Sequence, residues 1–258
     1  MENLMIYKNE SGIFTCDAEG RLLKYECSPE NRLELSDCRD KFSIFGEDWM
    51  EPEDNRKGKT IKRLVIPSGV RQIGSCSIHF EEGGISFEKY VVRDEIVFPE
   101  TLKIIGNNIF QNTMLPEVRF TSALNCIGSY SFFCAMIRKL VLSSDIKPVY
   151  RYFYSDSVYP YFIDDPTQGC IEITKEELLE THLCLGGRQF KNACIDTLVL
   201  PNKCEDAVLL LTESYIRKAI RYQEYDISVL PENTNPRLAC FMHLDNYMYL
   251  DDVLGNLE

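Results

Sequence analysis

Ile66-Pro67-Ser68-Gly69-Val70-Arg71-Gln72-Ile73-Gly74 returns as Phe98-Pro99-Glu100-Thr101-Leu102-Lys103-Ile104-Ile105-Gly106, and again as Phe120-Thr121-Ser122-Ala123-Leu124-Asn125-Cys126-Ile127-Gly128. A short phrase recurring along a chain restricts it to stacked units, each too small to bury a core alone. With the proline slot as origin, positions 67, 99, 121, 143, 174 and 201 hold Pro, Pro, Thr, Ser, Thr and Pro, against a base period of 22 residues. An apolar, any, apolar triplet precedes each origin: Leu64-Val65-Ile66, Ile96-Val97-Phe98, Val118-Arg119-Phe120, Leu140-Val141-Leu142, Ile171-Glu172-Ile173 and Leu198-Val199-Leu200. These read as short β-strands with two inward side chains each. Ile78, Phe110, Phe132, Tyr154 and Phe190 then close the units, and the step from closing residue to last strand residue is ten from Phe110 to Phe120, Phe132 to Leu142 and Phe190 to Leu200.

Proline suits the end of a short strand because it cannot continue a ladder, and glycine permits the turn that follows. A unit burying about five apolar side chains gains roughly 1.5–3 kcal/mol for each, while ordering its backbone costs roughly 1–2 kcal/mol per residue. One unit cannot fold, and a stack can.

Phrases of the form Ile-Pro-x-x-Val-x-x-Ile-Gly-x-x-x-Phe resemble the BspA-like leucine-rich repeats of surface and secreted proteins of anaerobic bacteria. Clear units cover residues 61–154 and 185–201. A degenerate one is expected over 33–50, with Leu33-Glu34-Leu35-Ser36 as its strand and Ile44-Phe45-Gly46 opening its turn. The resemblance implies a leucine-rich-repeat solenoid of short parallel strands with an irregular, turn-like outer wall, used in adhesion and protein recognition, with no catalytic motif to carry over. The division expected is an N-terminal cap with a hairpin over 1–32, the solenoid over 33–204, and an α-helical C-terminal cap over 205–258. In the cap, acidic Glu205 and Asp206 precede basic Arg217, Lys218 and Arg221, a charge order that favours a helix over 205–220. A second helix is expected over 236–253.

Measured against the period, about ten residues are extra between Pro67 and Pro99 and nine between Ser143 and Thr174. They place insertions near 79–92 and 155–169, and such insertions in a repeat stack form loops on one face or edge. Beside the second lie Tyr150, Tyr152, Phe153, Tyr154, Tyr159, Tyr161 and Phe162. Tyrosine offers wide amphipathic contact at low entropy cost, so Tyr152, Tyr159, Tyr161 and Phe162 are candidate contact residues. The competing reading is that these rings pack the loop down.

A net charge of −12 argues against nucleic acid, since phosphate recognition runs on an excess of Lys and Arg. No stretch approaches the roughly 20 apolar residues of a membrane span. The first residues lack a basic start followed by an apolar run, which reads as cytoplasmic, with surface or secreted location the alternative that the resemblance brings. Eleven cysteines without a CxxC pair read as reduced, mostly buried thiols. His79, His182 and His243 stand far apart, and no triad, zinc or nucleotide motif is present. The sequence therefore implies a non-enzyme with no cofactor and no metal. In each strand triplet the middle residue points away from the core, giving a column of Val65, Val97, Arg119, Val141, Glu172 and Val199. Arg63, Glu95, Glu117, Lys139 and Thr197 form a second column, in which Arg63 with Glu95 and Glu117 with Lys139 can pair across the ladder. The binding residues expected are Val65, Val97, Arg119 and Val141 with the four loop aromatics, and the partner a protein. The alternative is self-assembly into homo-oligomers through solenoid edges or the valine strip.

Overall fold

Each repeat unit contributes a strand to one wall, and the first three also add a two-residue strand to an opposite wall. A computed structural model describes residues 3–46, 56–74, 85–124, 126–128, 130–142, 189–200, 211, 214–221 and 226–228. The chain begins with β1 (Met5–Asn9), β2 (Gly12–Cys16) and β3 (Arg21–Cys27), an antiparallel meander that turns between β2 and β3 through Asp17–Gly20. The repeats follow as β4 (Thr60–Val65), β5 (Gln72–Ile73), β6 (Val91–Val97), β7 (Ile104–Ile105), β8 (Met114–Arg119), β9 (Cys126–Ile127), β10 (Met136–Val141), β11 (Cys194–Leu200) and β12 (Tyr215–Arg221), with β13 (Asp226–Ser228) returning antiparallel on β12. One sheet runs β1-β2-β3-β5-β7-β9 and the other β13-β12-β11-β10-β8-β6-β4. The meander thus extends the short-strand wall, pairing in parallel through Leu22 and Ile73.

Between the walls lies one core. Leu64, Ile96, Val118, Leu140 and Leu198 fill it from the long strands, Ile73 and Ile105 from the short strands, and Val70 and Leu102 from the turns. Its axis is a column of phenylalanines: Phe87, Phe110, Phe132 and Phe190 stack with centroids 5.4, 5.2 and 4.7 Å apart and planes within 7°, 13° and 3°. Burial of each ring is worth roughly 1.5–3 kcal/mol, and each stacked pair adds roughly 0.5–1.5 kcal/mol. The turns pack equally tightly. A Cβ at Gly128 would sit 2.6 Å from both Asn107 N and Gly106 C of the preceding turn, which explains the recurrent glycine. Backbone bonds tie unit to unit here, Gly106 N–H to Ile73 O and Gly128 N–H to Ile105 O, both 2.7 Å.

The stacking order corrects the unit boundaries. Phe87, rather than Ile78, occupies the first closing slot. Residues 85–92 therefore belong to the stack, with Phe87, Val91 and Val92 buried, and form no protruding loop. The ten extra residues divide into nine between Ile73 and Phe87 and one inside β6. That last residue is a bulge: Ile61 pairs with Val92 but Arg63 with Glu95, so Lys62 faces both Arg93 and Asp94. Further on, β10 pairs directly with β11, and Phe132 stacks directly on Phe190. A strand at 171–173 has no place between β10 and β11, nor Tyr154 between the two rings. Residues 154 and 155–173 lie outside the described residues.

Two further expectations fail for definable reasons. Residues 35–45 are a run of short helical turns, not a degenerate repeat. Leu35, Cys38, Phe42 and Phe45 fall on one helical face and cover the far side of the long-strand sheet, against Val91, Met114, Met136, Cys194 and Tyr215. At the other end, residues 215–221 are β12 rather than helix, because Leu211, Ser214, Tyr215 and Ile216 repeat the slots of Phe190, Ala193, Cys194 and Ile195. The basic residue Arg217 answers Asp196 on β11 in an ion pair instead of a helix dipole. The helix expected over 236–253 lies outside the described residues. Among the described residues no helix is long and apolar enough to cross a membrane. Cys16, Cys27, Cys38 and Cys134 are free thiols, while Cys194 is disulfide-bonded, which corrects the all-reduced reading.

The outermost long strand, β4, would expose a row of backbone groups. Side chains cover it instead. The amide of Asn31, 2% exposed, donates to Arg63 O at 2.8 Å and accepts from Arg63 N–H at 2.9 Å, as a neighbouring strand would. Asn9 Nδ2 donates to Val65 O at 2.8 Å, Val65 N–H to Ser11 Oγ at 2.9 Å, and Leu33 N–H to Thr60 O at 3.0 Å.

Candidate recognition face

The far side of the long-strand sheet is divided. Helical turns 35–45 cover the beginnings of its strands, leaving the second halves of β4, β6 and β8 open. There the apolar, any, apolar triplets place Val65, Val97 and Arg119 outward, with Val65 half-buried, Val97 36% exposed and Arg119 exposed. Register sets Val65 beside Val97, and Val141 between Arg119 and Val199. The column therefore holds, with two corrections. Val141 and Val199 are only 2% and 9% exposed and offer no free contact surface. Glu172 is displaced by Val199 as the neighbour of Val141. Tyr152, Tyr159, Tyr161 and Phe162 lie outside the described residues.

The charged column behaves unevenly. Lys139 Nζ reaches Glu117 Oε2 at 3.1 Å across the ladder, and Arg119 reaches Glu117 Oε1 at 3.2 Å along the strand. Burial pushes the Glu117 carboxyl up, but Lys139 and then Arg119 outweigh it and hold it below its ordinary range. Arg63 sits beside Glu95 in register, yet its ion pair goes to Glu10 at 3.6 Å, leaving Glu95 without a partner among the described residues. Asp94 is absorbed by its neighbour, with two bonds to Arg93 at 2.8 and 2.7 Å that lower its pKa.

A groove of about 670 Å³ opens over the seam between β6 and β8. Its origin lies in two sequence features. The bulge throws β6 out of phase, and Pro116 in mid-strand β8 has no N–H to offer. Pairing between the two strands is confined to Val91 with Met114, whereas β8 and β10 pair at five positions from Met114 to Arg119. Glu95, Val97 and Glu100 line one side and Glu117, Arg119 and Thr121 the other, with Ile96, Phe98 and Phe120 beneath. The Thr121 hydroxyl oxygen is buried and without a hydrogen-bond partner. The sequence signal for the groove was present in Pro116 and in the step from Phe87 to Ile96, nine residues where Phe110 to Val118 is eight.

Among the described residues no group of three His, Cys, Asp or Glu side chains is arranged to hold a metal. The thiols of Cys16 and half-buried Cys134 are pushed up to about 11 and that of Cys38 to about 12, in each case chiefly by desolvation, which makes them poor nucleophiles. Comparison with curated proteins and with solved structures returns no match. The BspA type leucine rich repeat region matches in six copies, over residues 56–164 and 83–207. Parallel long strands, a wall of short strands and recurrent closing phenylalanines give that match its physical content, and the chain belongs to the BspA-type leucine-rich repeat family.

Proposed function

We propose that this chain is a non-enzymatic recognition scaffold, a leucine-rich repeat solenoid that binds a protein through the open half of its long-strand sheet. The observation that carries the reading is that Val97 and Arg119 line one groove on a face whose other half the chain covers with its own helical turns. A shallow apolar strip rimmed by charge suits a protein surface better than a small substrate. Tyr152, Tyr159, Tyr161 and Phe162 form a second contact patch in this proposal. The test is capture by the immobilised full chain, compared with Val97→Asp plus Arg119→Ala and with Tyr159→Ala, Tyr161→Ala and Phe162→Ala combined. Loss of the same captured protein in the first variant is the expected result, and loss in the second assigns the aromatic patch to the same interface. Capture unchanged in both removes both surfaces.

Self-assembly is the second reading, favoured by Ile6 on the edge strand β1, 61% exposed, and by Leu4 just before it, 51% exposed. A mass in sedimentation equilibrium that stays monomeric at every concentration sinks it.

A further inference from the structure

We infer that the groove over the β6–β8 seam receives a basic, extended segment of the partner, with Glu95 and Glu100 meeting its lysine or arginine side chains. This rests on the recognition reading above and names the chemistry of what is recognised. Four carboxylates line the groove, and two of them are spoken for: Asp94 by Arg93, and Glu117 by Lys139 and Arg119. The other two, Glu95 and Glu100, are exposed and unpartnered among the described residues. Neither cation in the lining neutralises them, since Arg63 is drawn to Glu10 and Arg119 to Glu117. The uncompensated charge of the groove is thus negative, in a chain already at −12.

A partner side chain entering here gains more than a surface ion pair. Val97, with Ile96, Phe98 and Phe120 below, offers apolar surface to the aliphatic stem of a lysine or arginine. An acidic segment would instead meet the uncompensated Glu95 and Glu100, so the same groove selects against it.

The experiment uses the full chain and three fluorescein-labelled octapeptides that alternate valine with lysine, with serine or with glutamate, read by fluorescence anisotropy at two salt concentrations. Tightest binding of the lysine probe, weakened by salt, is expected. Glu95→Gln with Glu100→Gln should raise its Kd about tenfold, the equivalent of about 1.4 kcal/mol. Glu19→Gln with Glu26→Gln, equal in charge and exposed on the meander of the opposite sheet, should change it less than about twofold. Equal effects of the two double variants reduce the binding to overall charge and overturn the inference, as does a lysine probe no tighter than the glutamate one. If partner capture still depends on Val97 when the lysine probe fails, recognition by the face stands and its basic specificity falls.

Discussion

Asn31 does for the edge of the sheet what a further strand would otherwise do. Its single amide satisfies both the N–H and the C=O of Arg63, and it is buried doing so. Asn31→Ala leaves two backbone groups of β4 unpaired at the rim of the core. Each such group costs roughly 1–3 kcal/mol, so the urea midpoint should fall by an amount equivalent to about 2–4 kcal/mol with the m-value unchanged. Inward and outward positions are separable by the same measurement. Ile105 is fully buried, and Ile105→Asp places an unpaired carboxylate in the core, which should leave little folded protein. Arg119→Ala, on the exposed face, should change stability by less than about 0.5 kcal/mol. Equal effects would reverse the assignment of the two faces.

At the scale of elements, the cross-strand pair of Glu117 and Lys139 ties β8 to β10. Both side chains are more than 40% exposed, so a double-mutant cycle should return only about 0.2–1 kcal/mol. The Glu117 carboxyl is depressed in the folded chain. Its contribution is therefore complete above the unfolded pKa of roughly 4.3, and is lost as pH falls through the lower folded value. A coupling that persists under acid would contradict the pairing. The strands themselves were legible because an apolar side chain must recur at fixed steps to reach one core, and the outward column of Val65, Val97 and Arg119 follows from alternation. β12 was hidden because Arg217, Lys218 and Arg221 mimic the basic end of a helix, although Ile216-Arg217-Lys218 repeats Ile137-Arg138-Lys139. Residues 33–50 misled in the opposite sense: Leu35, Cys38, Phe42 and Phe45 are spaced for a helix, but Ile44-Phe45-Gly46 imitates a repeat turn. The burial of Val141 depends on tertiary surroundings that alternation does not encode.

For the whole molecule, Phe132 and Phe190 are neighbours in the stack although 58 residues apart in sequence, against 22 from Phe110 to Phe132. The long-strand ladder thus passes directly from β10 to β11, and the ring column directly from Phe132 to Phe190. Replacing 143–188 with a copy of residues 121–130 restores the regular period, with Gln189 following in the slot of Ser131. Far-ultraviolet circular dichroism and a cooperative urea transition should both survive, since shortening a connection costs little loop entropy. Loss of the cooperative transition would mean that 143–188 is needed for the stack. The seam between β6 and β8 bears on how the molecule carries force. A sheet pulled across its strands parts where fewest backbone bonds resist, and here that line falls between β6 and β8. The stacked rings of Phe87 and Phe110 span this line from within the core, and the short strands β5 and β7 span it along the opposite wall. Tension across the long strands would thus open the face at its own groove first, while the ring column and the short-strand wall act as the tether that lets it close again.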